Sequence, residues 1–156
     1  MMNLQRRRRG FSLIELLIVI AIILIIITIA LPKFTSAQRY AKETSALGAI
    51  RTIHTMQVQY YSQYGKYATS LTELGPPASG ADSPAAANLI DSTLAGGEKG
   101  GYKFALSANG GGYVINASPV AFGISGSRTF YSDQSMVLRQ NFGQEPATAN
   151  SPEMKN

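Results

Sequence analysis

A chain of 156 residues that is 45% hydrophobic and 15% charged has room for one folded domain and an appendage, and is too apolar to be disordered. Its formal charge of +5 comes mostly from Arg6–Arg9; without them the balance is 10 basic to 9 acidic residues, so the body offers little for nucleic acid to bind. The absence of cysteine excludes disulfides, thiolate metal sites and thiol catalysis, and leaves stability to packing or oligomerisation.

Arg6–Arg9 lead through Gly10 into a 21-residue stretch, Phe11 to Leu31, in which every residue from Leu16 onward is apolar except Thr28. About 20 apolar residues span a bilayer as a helix. The many isoleucines are weak helix formers in water, but in lipid the backbone must bond to itself, which selects helix. The arginines place residues 1–10 in the cytoplasm, and the chain beyond Lys33 is carried across. Three processing schemes fit: a secretory signal cut near Thr28-Ile29-Ala30 or Thr35-Ser36-Ala37, an uncut anchor, or a cut between Gly10 and Phe11. Glu15 separates them. A carboxylate at the centre of a spanning helix costs about 2.5–3.5 kcal/mol and signals function. It needs a positive partner. A cut after Gly10 creates one, the amine of Phe11, one helical turn from Glu15. Neither rival scheme gives Glu15 a role.

The run Gly10-Phe11-Ser12-Leu13-Ile14-Glu15, with its basic leader and apolar sequel, resembles the type IV pilin family, which includes the pseudopilins of type II secretion. The resemblance implies cleavage after Gly10 by a prepilin peptidase and N-methylation of Phe11. It also implies that Glu15 neutralises the N-terminal amine of a neighbouring subunit during assembly. The expected partners are further copies of the chain, the peptidase, the inner membrane, and the assembly platform protein with its ATPase machinery. The expected places are the bacterial inner membrane, N-terminus inside, and then an extracellular pilus or a periplasmic pseudopilus. No cofactor, metal or catalytic residue is implied.

Pro32 cannot donate a backbone hydrogen bond, and its ring crowds the carbonyl of Thr28. It either stops the membrane helix or, as the resemblance implies, kinks a longer one, with the Thr28 hydroxyl resatisfying freed backbone groups. Beyond it, Leu47, Ile50, Ile53, Gln57 or Val58, Tyr61 and Tyr64 recur at helical spacing. Arg39, Lys42, Glu43, Arg51, Gln59 and Gln63 take the other side, with Arg39 and Glu43 as a surface pair. Gly65 is a helix stop. From Phe11 to Tyr64 is 54 residues, about 80 Å if unbroken, and a core of stacked identical helices would partner the apolar half. Tyr60, Tyr61, Tyr64 and Tyr67 read as packing rather than a nucleic-acid platform. His54, the sole histidine, has no ligand-spaced partner and also reads as packing.

Residues 66–101 form a connecting region. "KYATSLTELGPP" predicts a turn and a short helix. "GADSPAAANLIDSTLAGG" predicts another, with Asp82 or Ser83 as N-cap, Pro84 first, Gly96 as stop, and Leu89, Ile90 and Leu94 inward. Then "GYKFALSA", "YVINASPV", "SRTFYSD" and "MVLRQNF" read as four strands of an antiparallel meander, residues 102–142, joined at Asn109–Gly112, Gly123–Gly126 and Ser132–Ser135. The polar tail 143–156 is expected to be mobile. The fold class is α+β: a long N-terminal helix, membrane half 11–32 and amphipathic half 33–65, packed on a four-stranded sheet, which is the type IV pilin plan. That family often staples its C-terminal region with a disulfide, which this chain cannot form. Tyr131-Ser132-Asp133-Gln134 adds a weaker likeness.

The glycine pairs and Gly110–Gly112 do not make a phosphate-binding loop. Asp91 and Asp133 lack the acidic density of a calcium loop, and Asn116-Ala117-Ser118 precedes a proline. The function expected is a structural pilus subunit, serving adhesion, motility or DNA uptake; a secretion pseudopilin or a minor pilin is the alternative. A membrane-anchored periplasmic binding module or enzyme would leave Glu15 unexplained.

Overall fold

The structure is a computed structural model that describes residues 10–109 and 111–155. The arginines Arg6–Arg9 lie outside the described residues. The chain divides into two units, Met1–Ser36 and Ala37–Asn156.

In the first unit, helix α1 (Leu13–Tyr64) begins, two residues later than Phe11. Its side chains through Leu31 are all exposed, and its apolar window is long enough to cross a membrane. Pro32 does not end it; the helix continues. Hydroxyls line the break in bonding. Thr28 Oγ1 donates to the Ile25 carbonyl at 2.7 Å, while Thr35 Oγ1 and Ser36 Oγ both donate to the Pro32 carbonyl at 3.0 Å.

In the second unit, α1 buries Glu43, Ala46, Ala49, Ile50, Ile53, His54, Gln57 and Tyr60. Ile50, Ile53 and Gln57 are inward as expected, but Val58 and Tyr61 are about half exposed. The buried face is turned toward Ala46, Ala49 and Tyr60. Glu43 is the main departure: expected on the surface beside Arg39, it is 4% exposed. Helix α1 ends as predicted at Gly65, whose φ of +70° is the left-handed stop a glycine takes without strain.

Helix α2 (Leu71–Leu74) starts at Ser70, whose side chain accepts from the Glu73 amide. The helix expected from Pro84, capped by Asp82 or Ser83, does not form. Ser83 and Ala86 close a tight bridge on themselves. The amides of Ala87, Asn88, Leu89 and Ile90 are committed to the carbonyls of Glu73, Leu74 and Gly75 at 2.8–3.0 Å, so they cannot bond helically. Helix α3 is only Ser92–Ala95, with Asp91 as N-cap and Gly96 closing it. Ile90 and Leu94 are buried and Leu89 packs at the core margin, as expected.

The sheet is an antiparallel meander in chain order, with five strands rather than four: β1 (Glu98–Lys99), β2 (Tyr102–Asn109), β3 (Gly112–Pro119), β4 (Thr129–Asp133) and β5 (Arg139–Asn141). All four expected strands are present. The addition, β1, pairs Glu98 with Lys103 and Lys99 with Tyr102. It folds back through Gly100 and Gly101, whose φ of +62° and +84° suit a two-residue hairpin turn. Two charged residues carry no alternation, so this strand has no pattern to read. Tyr102, Phe104, Leu106, Tyr113, Ile115, Ala117 and Phe130 join Ile50, Ile53, Tyr60, Leu71, Leu74 and Leu94 in one core.

The tail after Gly143, expected to be mobile from its polarity, is instead engaged. Gln140 N–H donates to the Pro152 carbonyl at 3.0 Å, Met154 N–H to Leu138 at 2.9 Å, and Arg139 pairs with Glu153 at 2.9 Å. Thr129 Oγ1 reaches the Glu145 carbonyl at 2.8 Å, and Ala147 is 2% exposed. The unpaired edge of β5 supplies the partners, and polar side chains do not prevent backbone pairing.

Candidate functional site

The N-terminal constellation lies in the first unit. Gly10 and Phe11 precede the helix, with Phe11 83% exposed, and a Cβ placed on Gly10 would meet nothing within 4 Å. The bond between them is open and outside helical bonding. Glu15 sits in the first turn of α1, and its Oε2 accepts from the Ser12 N–H at 2.8 Å. Leu16 N–H donates to the Ser12 carbonyl at 3.2 Å. Ser12-Leu13-Ile14-Glu15 is thus the S-x-x-E pattern of a capping box, with Glu15 filling its reciprocal half. That signal was readable in the sequence and corrects the premise that only a cut gives Glu15 a role. The uncut chain also employs it, as acceptor for an orphan helix amide at the positive end of the helix dipole. Its first-turn position also spares it the cost of a charge at the helix centre. The cut would change the partner's charge: Phe11, adjacent to Ser12, would present an ammonium to a carboxylate already folded back toward it.

The second unit holds three buried polar arrangements that no sequence pattern flagged. Glu43 Oε1 accepts from the Ser127 N–H and hydroxyl at 2.8 and 2.9 Å; Oε2 accepts from Arg128 Nε and Nη2 at 2.8 and 2.6 Å. Arg128 also donates to Gln140 at 2.9 Å. Burial pushes the Glu43 carboxyl up, but the Ser127 amide, the Arg128 guanidinium and the Ser127 hydroxyl outweigh it and hold it below its usual range. Gln57 pairs its amide with the backbone of Ala68 in both directions, each at 2.9 Å, like one rung of a sheet.

His54 is the third. Nδ1 lies 2.7 Å from Tyr113 Oη and Nε2 2.7 Å from Ser132 Oγ. The Ser132 hydroxyl donates to the Val137 carbonyl, so it accepts from Nε2–H, and Tyr113 donates to Nδ1. Packing, as expected, is its role, with a defined tautomer. Burial lowers the His54 pKa against a smaller opposing pull from Asp133, and burial raises Tyr113 to about 12. Because the folded value is depressed, the stabilisation is full above the ordinary value of 6.5 and is lost as pH falls from there toward the folded pKa. Urea midpoints measured from pH 8 to 5 should therefore decline below about 6.5 in the native chain, while His54→Gln should be flat across that window.

The tyrosines stack as packing residues: ring centroids are 4.7 Å apart for Tyr60–Tyr64, 4.8 Å for Tyr61–Tyr67 and 4.9 Å for Tyr67–Tyr113. Asp91 caps α3, bonds the Thr93 hydroxyl and pairs with Lys99 at 2.6 Å, and Asp133 takes the Ser135 amide at 2.9 Å. Both carboxylates serve local turns. Among the described residues, no three His, Asp or Glu side chains converge as a metal site.

The exposed Gly10–Phe11 bond and the capping carboxylate stand at the head of an apolar helix long enough to cross a membrane, which defines the class of a chain with a candidate N-terminal membrane anchor. Residues 5–31 match the family described as the prokaryotic N-terminal methylation motif. The chain is also 39% identical over 69 residues to the type IV major pilin protein PilA of Myxococcus xanthus (strain DK1622), covering 44% of this chain and 31% of that protein. The aligned region thus spans under a third of the relative's length. No solved structure matches. By these matches, the N-terminal region of the chain carries a prokaryotic N-terminal methylation motif and is similar to part of a type IV major pilin.

Proposed function

We propose that the chain is the structural subunit of a type IV pilus. It is held in a bacterial inner membrane with its N-terminus in the cytoplasm. A prepilin peptidase cuts it between Gly10 and Phe11, and Phe11 is methylated. The assembly platform and its ATPase then polymerise it into an extracellular filament for adhesion, motility or DNA uptake. Glu15 pairs with the Phe11 amine of a neighbouring subunit during assembly, and the Pro32–Thr28 turn is where the helix yields in the filament. No enzymatic step is assigned to it. The observation that carries this reading is the open Gly10–Phe11 bond placed one turn before Glu15 at the head of an unpartnered apolar helix.

Mass spectrometry of the mature N-terminus should find methylated Phe11; a start at Leu31 or Gln38, or an intact Met1, overturns the reading. Glu15→Ala should yield processed subunits that stay in the membrane without filaments. Normal filaments from that variant would remove the role assigned to Glu15.

A further inference from the structure

At the last turn of α1 the second unit opens a cleft of about 460 Å³, between the helix end, the residues that follow it and the end of β2. Its walls include Tyr61, Lys66, Tyr67, Thr69 and Asn109, all within the second unit. The volume is in the range of small-ligand sites.

A single exposed aromatic is ordinary on a protein surface, but this one is held. Tyr61 is 49% exposed, and its ring centroid lies 4.8 Å from that of Tyr67. Tyr67 in turn lies 4.9 Å from Tyr113, which is 2% exposed and bonded to His54 at 2.7 Å. This series of rings runs from the core out to the cleft. The outer ring is therefore largely set before a ligand arrives, and less side-chain freedom remains to be lost on binding.

Polar groups line the same space. The Tyr61 hydroxyl, the Asn109 side-chain amide and the Lys66 ammonium make no hydrogen bond or ion pair with the described residues. The Thr69 hydroxyl donates to Glu73 Oε1 at 2.7 Å, which leaves it an acceptor. An aromatic face beside open donors and acceptors fits a pyranose, whose C–H face packs on a ring while its hydroxyls bond at the rim. Charge selects a neutral one. Among the described residues lining the cleft, Lys66 is the one that is charged. Glu73 stands against Thr69, and Asp133 lines an adjoining cleft that shares Ala108 and Asn109. One cation beside two carboxylates gives a polyanion no row of phosphate contacts, and Lys66 in the wall opposes a cationic ligand.

We propose that this cleft binds a neutral pyranose unit of a glycan, with Tyr61 as the stacking platform and Thr69, Asn109 and Lys66 bonding the hydroxyls. The site lies within one unit, so it requires neither a filament nor a membrane.

The full-length protein is kept in a phosphocholine detergent, because alkyl glycosides would compete. It is mixed in turn with cellohexaose, maltohexaose and the N-acetylated chitin hexasaccharide, and with two polyanions, polygalacturonate and an oligothymidylate. Saturation-transfer NMR reads which ligand protons touch the protein, and titration reads affinity. Transfer is expected to the C–H protons of at least one neutral sugar. Tyr61→Ala should weaken that binding roughly tenfold, while Tyr61→Phe, which keeps the ring, retains most of it. Asn109→Ala, at an exposed position, should weaken it several-fold, and decides the matter if the urea midpoint of Tyr61→Ala shows a disturbed fold. Failure of all three sugars to show transfer overturns the proposal. So does binding left unchanged by an alanine variant with a native urea midpoint, or binding abolished by Tyr61→Phe. Preference for either polyanion over the sugars assigns the cleft to that polymer and likewise overturns it.

Discussion

Arg128→Ala is expected to destabilise the second unit by about 3–5 kcal/mol, the usual consequence of leaving one member of a buried ion pair alone. The pair joins α1 to the start of β4, and the side chains of Glu43 and Arg128 are 5% and 16% exposed. Removing the guanidinium strands a carboxylate that has only the Ser127 amide and hydroxyl left to oppose its burial. The carboxyl pKa should then rise, because burial is the largest single influence on it and the Arg128 contribution is gone. In the native chain the folded pKa is depressed, so the stabilisation is present above about 4.5 and is lost as pH falls through the folded value. Urea denaturation of the detergent-solubilised protein at neutral and acid pH reads both effects. A midpoint unchanged at neutral pH would mean that the pair is not a structural tie. Arg128→Lys should recover only part of the loss, since an ammonium cannot present Nε and Nη2 together.

Gln57→Ala should cost about 2–4 kcal/mol. The side chain is fully buried and satisfies both backbone groups of Ala68, itself fully buried. Each buried group left without a partner costs about 1–3 kcal/mol, and truncation adds a cavity. Gln57→Met separates the two contributions, because it fills the space without pairing. If methionine were as stable as glutamine, packing alone would account for the site. Hydrogen exchange offers a direct view: the Ala68 amide should be protected in the native chain and exchange much faster in either variant.

These two sites show where reading the sequence stops. The N-terminal methylation motif was legible because it lies in a short run with fixed order, and the strands were legible because 102–109 alternates residue by residue. Gly65 and Gly96 were legible as stops for local reasons. Glu43 was not. Its natural reading is a helix-surface pair with Arg39, and the residue that changes this is Arg128, 85 positions away. Gln57 was read only as a member of the inward stripe, because a side chain that bonds backbone leaves no trace in residue types. The helix expected at Pro84 failed for a related reason. Its amides are taken by the end of α2, and a proline at a helical first position says nothing about that competition. The capping box at Ser12 was a local pattern that could have been seen; the search for a charged partner obscured it.

The pairing of the tail along β5 carries a further consequence. A subunit proposed to be packed into a filament has its heads at very high local concentration, the condition under which an open strand edge recruits its neighbour and a sheet grows from molecule to molecule. Here one edge is occupied by the chain's own residues 152–154. The other ends in β1, which is two charged residues long. Both margins are poor templates, so crowding can bring heads side by side without fusing their sheets, and the order of the polymer is left to the helices.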